Sequence, residues 1–277
     1  MKTLPQIEFA GKKISRLILG GNPISGNSHT SFDLDNEMMD YFTAENTKAL
    51  FRACERNGIN AAQLRGDSHI IRLLREHRNE GGTLHWIAQT ASEMADLRAN
   101  IRRIAAMKPI AIYHHGTETD NLWYAGKTAV IRERLAWMRE TGLWVGIGTH
   151  TPEVIESAES EGWDVDFYMA AAYNVYRAPR ESMIVSGRRS MEFYDDADRE
   201  RMCSVVRATP KPCLLFKILA AGRKPAQAEG LKEAFTYIFR HTKPQDAVVV
   251  GMFPKHSDQV EENARLVAEC GALPTGR

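Results

Sequence analysis

The feature that most constrains this chain is an alternation between short apolar runs and longer stretches of helical period, kept up along most of its length. Eight runs have the length and residue types of buried strands: 16–20, 59–63, 84–90, 109–115, 143–150, 166–173, 212–219 and 247–253. Strands covered on both faces read as near-continuous apolar segments, as in a parallel sheet. The segments between them carry helix punctuation. Thr43 caps one that stops at Asn57-Gly58, and Thr151-Pro152-Glu153 opens another that stops near Gly162. Further helices are predicted at 68–79, 92–106, 128–141, 195–208, 227–241 and 257–269. Strand–helix units repeating about every 30 residues predict βαβ crossovers. Eight such units predict closure into a barrel.

No Pro-, Gly- or Ser-rich linker divides the 277 residues, so the expectation is one α/β domain over 1–277, a single (β/α)8 TIM barrel. A doubly wound open sheet is the runner-up. Its dinucleotide fingerprint is missing, because Gly20-Gly21-Asn22-Pro23 reads as a tight turn and not as G-x-G-x-x-G. Residues 6–9 and 14–15, flanking a turn with Gly11, predict an N-terminal β-hairpin placed to plug the barrel floor. The connections 22–42 and 174–194 are longer than usual, and long loops in a compact fold are often functional.

Composition removes several function classes. With 36 Lys+Arg against 35 Asp+Glu and no basic run, no nucleic-acid partner is expected. Four cysteines without a C-x-x-C pair read as reduced thiols. No stretch approaches the ~18 apolar residues of a membrane span, and residues 1–11 lack a secretory apolar core. These readings predict a cytoplasmic protein acting on a small molecule, off the membrane. The oligomeric state is not set by any of them.

In such barrels the reacting groups sit where strands end, so polar residues at strand ends form the shortlist. They are Asn22 after the first strand, Gln63 and Arg65 after the second, Gln89 and Thr90 at the third, His114 and His115 at the fourth, and His150 at the fifth. Tyr173 and Asn174 follow at the sixth, Lys217 in the seventh and Lys255 after the eighth, with His29, Asp67 and His69 on loops. Five of the nine histidines fall on this rim. Imidazoles converging there would bind a divalent metal, with His69, His115 and His150 as candidate ligands, or transfer protons. Satisfied histidines in a polar mouth are the plainer reading. His114 and His115 are adjacent on a strand and point to opposite faces, so one at most enters the barrel. Lys217 lies among apolar residues and needs either an acidic partner or a function: anion binding, proton abstraction or Schiff-base chemistry. Arg65 suits a carboxylate or phosphate, or a pair with Asp67, itself placed to cap the following helix. Trp123 beside Tyr124, on the loop that follows His114-His115-Gly116, is expected to wall the ligand site.

Across most of its length the chain resembles the aldo/keto reductases. The resemblance is carried by the hairpin followed by Ile14-Ser15-Arg16-Leu17-Ile18-Leu19-Gly20-Gly21, by Asn57-Gly58-Ile59-Asn60, and by Gly66-Asp67-Ser68 with Leu73-Leu74-Arg75-Glu76. It continues through Ile112-Tyr113-His114-His115, Gly146-Ile147-Gly148-Thr149-His150-Thr151-Pro152-Glu153 and Tyr173-Asn174, and closes at Val250-Gly251-Met252-Phe253-Pro254-Lys255 and Gln259-Val260-Glu261-Glu262-Asn263. The resemblance implies the barrel fold and reduction of carbonyls by a nicotinamide, through an Asp, Tyr, Lys and His tetrad. At those positions this chain has Gln63, Arg65, and Gln89 or Thr90, and only His115 matches. The eighth-strand loop is short for the family's phosphate contacts, leaving Lys255 to touch an adenosine phosphate of NADP.

The leading expectation is therefore an enzyme of this fold that has exchanged hydride transfer for acid/base or metal-assisted chemistry, a lyase, isomerase or epimerase step on a polar sugar-like or keto substrate. His115 and His150 would move protons or bind metal. Lys217 and Arg65 would hold a carbonyl or carboxylate, with Asn22, Gln63, Gln89, Trp123, Tyr173 and Asn174 around the substrate. The alternatives are a divergent NADPH-dependent reductase using His115 or Lys217 as proton donor, and a non-catalytic ligand-binding barrel.

Overall fold

Strands β1 (Gln6–Phe9) and β2 (Lys12–Ser15) pair antiparallel, with Phe9 opposite Lys12. The two residues between them, Ala10 and Gly11, take φ of 50° and 69°. Two successive positive φ values are what a tight hairpin turn of matching twist requires, and Gly11 meets that need without strain. The coordinates are a computed structural model that describes residues 3–179, 181, 186–188, 191–223 and 228–273.

Eight parallel strands follow: β3 (Leu17–Gly20), β4 (Ala61–Arg65), β5 (His85–Gln89), β6 (Ala111–His114), β7 (Trp144–Thr149), β8 (Phe167–Ala171), β9 (Cys213–Phe216) and β10 (Ala247–Gly251). Each pairs with its sequence neighbour, and β10 returns to β3, with Val248 opposite Leu17, so the barrel closes. The open-sheet alternative is excluded. β4 keeps the length of its apolar run but lies two residues later, so Arg65 is its last residue and not beyond it. The other seven strands are shorter than their apolar runs, because apolar residues past the ladder are buried without pairing. The seventh shows why: it ends at Phe216, since Lys217 adopts a left-handed φ of 59°. Lys217 thus stands on the rim and not within the strand where it was expected.

Helices cover the outside in the predicted places, with instructive differences at their starts. The helix expected from 92 begins at Leu97, because the Asp96 carboxylate accepts from the Ala99 N–H at 2.8 Å and caps it there. The helix at Ser68–Asn79 is capped by Asp67, which accepts from Ile70 N at 2.9 Å. The long connection 22–42 contains a helix, Phe32–Tyr41, capped by Ser31. After β6 the chain enters a helix at once, Gly116–Tyr124, where a loop was expected.

Two packed layers result. Inside the ring, Ile18, Ala61, Ile87, Phe167, Met169, Leu214 and Val249 share a cluster with Ile7, Phe9 and Ile14 of the hairpin. The Phe9 ring meets Trp144 and Phe167 edge-on, at 5.3 and 5.0 Å between centroids, so the hairpin closes the barrel floor. Outside, Leu64, Trp86, Ile112, Ile147 and Tyr168 pack beneath the helices. Burying each large apolar side chain contributes about 1.5–3 kcal/mol, and this sandwich fixes which strand residues face inward. All four cysteines are free thiols. Burial pushes the Cys54 and Cys203 thiols up, to about 12 and about 11. Among the described residues no helix is long and apolar enough to cross a membrane.

Candidate active site

A cavity of about 880 Å³ opens where the barrel strands end. Eight of the residues on the sequence shortlist line it: Asn22, His29, Gln63, Arg65, Gln89, His115, His150 and Lys217.

His150 follows β7 and is buried. Its Nδ1 lies 2.8 Å from Oδ2 of Asp120, on the helix Gly116–Tyr124, and its main-chain N–H donates to the same oxygen at 3.1 Å. The Thr149 hydroxyl donates to the other carboxylate oxygen. A buried carboxylate holding Nδ1 keeps a proton there and makes Nε2 the basic nitrogen. The ring is steadied on two sides by Tyr176 and Phe216, each edge-on at 5.3 Å. Asp120 was not foreseen, because it lies one turn into a helix that the sequence reading took for a loop.

Three inward side chains on adjacent strands form a row. Arg65 of β4 is in register with Gln89 of β5, and Gln89 with Tyr113 of β6. Gln63, earlier on β4, reaches Gln89 at 3.5 Å. Arg65 is 6 % exposed, donates from Nε to Asp67 at 3.3 Å, and pairs through Nη2 with Glu93. Both readings of Asp67 therefore hold, as cap and as partner. Burial pushes the Tyr113 phenol well above its ordinary range, with the Arg65 charge and a hydrogen bond with Gln63 acting the other way. Tyr113 lies two residues before His115, so strand period alone could have placed it in the site.

Lys217 meets an acidic partner, Glu192, with Nζ 3.6 Å from Oε1. Glu192 also lies 2.6 Å from His29 Nδ1 and accepts from the hydroxyls of Tyr176 and Tyr194. Burial alone would raise this carboxyl, but the hydrogen bond to His29, the Lys217 charge and the Tyr176 hydroxyl outweigh it and hold Glu192 far below the carboxylate range. Asn22 reaches His29 Nε2 at 2.9 Å. This network ties the first and sixth strand-end connections across the mouth.

Other expected residues lie elsewhere. His114 faces outward, with Nδ1 2.8 Å from the Thr119 hydroxyl and Nε2 3.1 Å from Arg134, so His115 is the one that enters the cavity. His69 is exposed on the first turn of Ser68–Asn79, outside the cavity, because Asp67 turns the chain into the helix there. Among the described residues no group of three His, Cys, Asp or Glu side chains is placed to hold a metal ion. Trp123 does not wall the cavity. Its helix turns the indole outward, to Ser157 at 3.4 Å. Tyr173 is fully buried against Tyr194 and donates to Asp196 at 3.5 Å, behind the cavity wall, and burial pushes its phenol up to about 12. Asn174 also lies outside the lining, its Oδ1 buried without a hydrogen-bond partner among the described residues. Lys255 turns away to Glu37, 2.8 Å distant.

No protein-family model and no curated protein sequence matches the chain. Solved structures do match in shape. The apo form of Gox0644 shares 11% identity at a TM-score of 0.56, over 99% of this chain and 97% of that one. A thermostable aldo-keto reductase, solved with the inhibitor epalrestat, shares 13% at 0.54, over 95% and 93%. A truncated 3-deoxy-D-arabino-heptulosonate 7-phosphate synthase from Thermotoga maritima shares 14% at 0.54, over 96% and 91%. The likeness is one of fold. It spans barrels of different chemistries, so function must be argued from the cavity.

Proposed function

We propose that the chain is an enzyme on an aldo/keto-reductase-like barrel that carries out acid/base chemistry, of lyase, isomerase or epimerase type, on a small polar sugar-like or keto substrate. The observation that carries this reading is the His150–Asp120 pair bordering the cavity that Arg65 and Lys217 also line. With Nδ1 committed to Asp120, His150 is a base at Nε2, as the middle member of a catalytic triad is. Arg65, Gln63 and Gln89 supply donors for a carbonyl or carboxylate, and His115 stands ready as a second proton carrier. The family assignment rests on the sequence motifs together with the shared fold. The residues put forward as metal ligands do not form a cluster among the described residues, so no step is routed through a metal.

A second reading, NADPH-dependent reduction, is favoured by Asn263. It is 5 % exposed, lines the cavity with Gln259 and Glu262, and its Oδ1 has no donor among the described residues. That acceptor fits an amino group such as adenine's. The cofactor, when bound, would supply hydride. The reacting end fits poorly, with arginine where the resemblance calls for tyrosine and glutamine or threonine where it calls for lysine.

Solvent deuterium entering the α-carbon of pyruvate, dihydroxyacetone or fructose, followed by NMR, tests the first reading. His150→Gln should lower the exchange roughly 100-fold or more with folding retained. Unchanged exchange in that variant overturns the assignment of the base. Elemental analysis and NADPH fluorescence titration separate the alternatives, since saturable quenching with NADPH oxidation would favour the reductase.

A further inference from the structure

At the position where the resemblance calls for a tyrosine stands Arg65, which leaves a carbonyl oxygen without a phenol from that strand. The barrel supplies one from another. Tyr113 is the third member of the inward row that begins at Arg65 and passes through Gln89, so a guanidinium, a carboxamide and a phenol lie side by side on adjacent strands. One layer down, Gln63 of β4 still lines the cavity beside Ile87 and Ala111, and below it the inward side chain of β4 is Ala61. Polar groups begin where the cavity begins. Arg65 commits Nε to Asp67 and Nη2 to Glu93, while Nη1 has no acceptor among the described residues.

Two glycines make room for this arrangement. A Cβ on Gly148 would stand 3.0 Å from Tyr113 Cε2 and 3.0 Å from the Gly116 nitrogen. A Cβ on Gly116 would stand 3.5 Å from His150 Cε1. The phenol and the imidazole therefore flank the same close contact between two backbones.

We propose that Tyr113 and Arg65 together hold the substrate's carbonyl oxygen and stabilise the enolate formed when His150 takes the proton from the neighbouring carbon. This deepens the acid/base reading above and rests on it for the base. In the step, the C–H bond breaks and its proton goes to His150 Nε2. The C–H electron pair becomes the carbon–carbon π bond, and the carbonyl π pair moves to oxygen. Return of the proton to carbon restores the carbonyl, so no oxidant or reductant is consumed. The substrate class is a small α-C–H carbonyl compound, a ketose or a 2-oxo acid. A neutral phenol beside a guanidinium gives hydrogen bonds without giving up its proton, as a preorganised oxyanion site requires. Burial keeps Tyr113 in that neutral form.

The experiment compares wild type, Tyr113→Phe and Arg65→Gln by calorimetric binding of oxalate, a planar mimic of an enolate beside a carboxylate, and by the deuterium exchange assay. Tyr113→Phe removes one oxygen atom and should weaken oxalate binding about 10-fold and slow exchange about 100-fold. Arg65→Gln keeps the phenol and should weaken oxalate binding more. Exchange that needs His150 but is unaffected by Tyr113→Phe overturns the proposal and leaves the acid/base function standing. Tyr113-dependent oxalate binding without exchange keeps the oxyanion site and removes the acid/base function. Wild type that fails to bind oxalate, or binding that both variants leave unchanged, overturns the proposal outright.

Discussion

Asparagine at position 120 keeps the shape of the side chain and changes only its charge and hydrogen-bond polarity. Asp120 accepts from His150 Nδ1 at 2.8 Å, from the His150 main-chain N–H at 3.1 Å and from the Thr149 hydroxyl. An asparagine oxygen can keep the Thr149 contact, which turns the NH2 toward His150 Nδ1. Two donors cannot face each other, so the imidazole must move its proton to Nε2. The nitrogen that should accept the substrate's proton then already carries one. In a Ser-His-Asp triad the same change costs about 10⁴ in kcat, so a fall of roughly 10³- to 10⁴-fold in exchange rate is expected here. Charged hydrogen bonds worth about 1.5–3 kcal/mol become neutral ones worth about 0.5–1.5, so the stability loss should be roughly 1–3 kcal/mol. Exchange kinetics, urea unfolding and nitrogen-15 NMR of the histidines measure rate, stability and tautomer in turn. Wild-type exchange in Asp120→Asn, or an Nδ1–H tautomer persisting in it, would refute the reasoning.

Further outcomes follow from buried groups away from the base. Burial, then the nearby Arg134 charge, lowers His114 from 6.5 to about 3, so below pH 6.5 the unfolded chain takes up a proton that the folded one refuses. Stability is complete above that pH and declines as pH falls toward 3, by at most about 1.4 kcal/mol per pH unit from this group. Urea unfolding of His114→Gln between pH 7 and 4 should show a shallower slope than wild type, and equal slopes would reject the assignment. Gly148→Ala drives a methyl against Tyr113 and the Gly116 nitrogen, and should cost about 1–3 kcal/mol and slow exchange. A thermal melt and rate equal to wild type would show that the close contact is unimportant.

The fold was legible because burial on both faces writes strands as apolar runs, and eight of them with helical spacers leave little choice but a ring. Boundaries were less so. Apolar residues continue past the last ladder bond, and only backbone conformation, as at Lys217, marks where a strand stops. In the site, residues at strand ends were found when their side chains follow the strand's inward face, as Gln63, Arg65, Gln89 and His115 do. Trp123 was misplaced and Asp120 missed for one reason, since both lie on a helix whose start after His115 left no local signature. With that helix in place, the indole turns outward and the carboxylate reaches His150. Tyr113 was not singled out, although its two-residue spacing from His115 put it on the same face. Glu192 pairs with Lys217 from a connection 25 residues before it in the chain, which no local pattern reveals.

The hairpin beneath the barrel also governs traffic. Ile7, Phe9 and Ile14 fill the lower end, so among the described residues the ring is closed below and the cavity is entered from the rim. Under the proposed function, arriving reactant and departing product then compete for that doorway. On that reading, the residues tying its two sides together, His29, Glu192 and Lys217, are where a change would alter the rate of release.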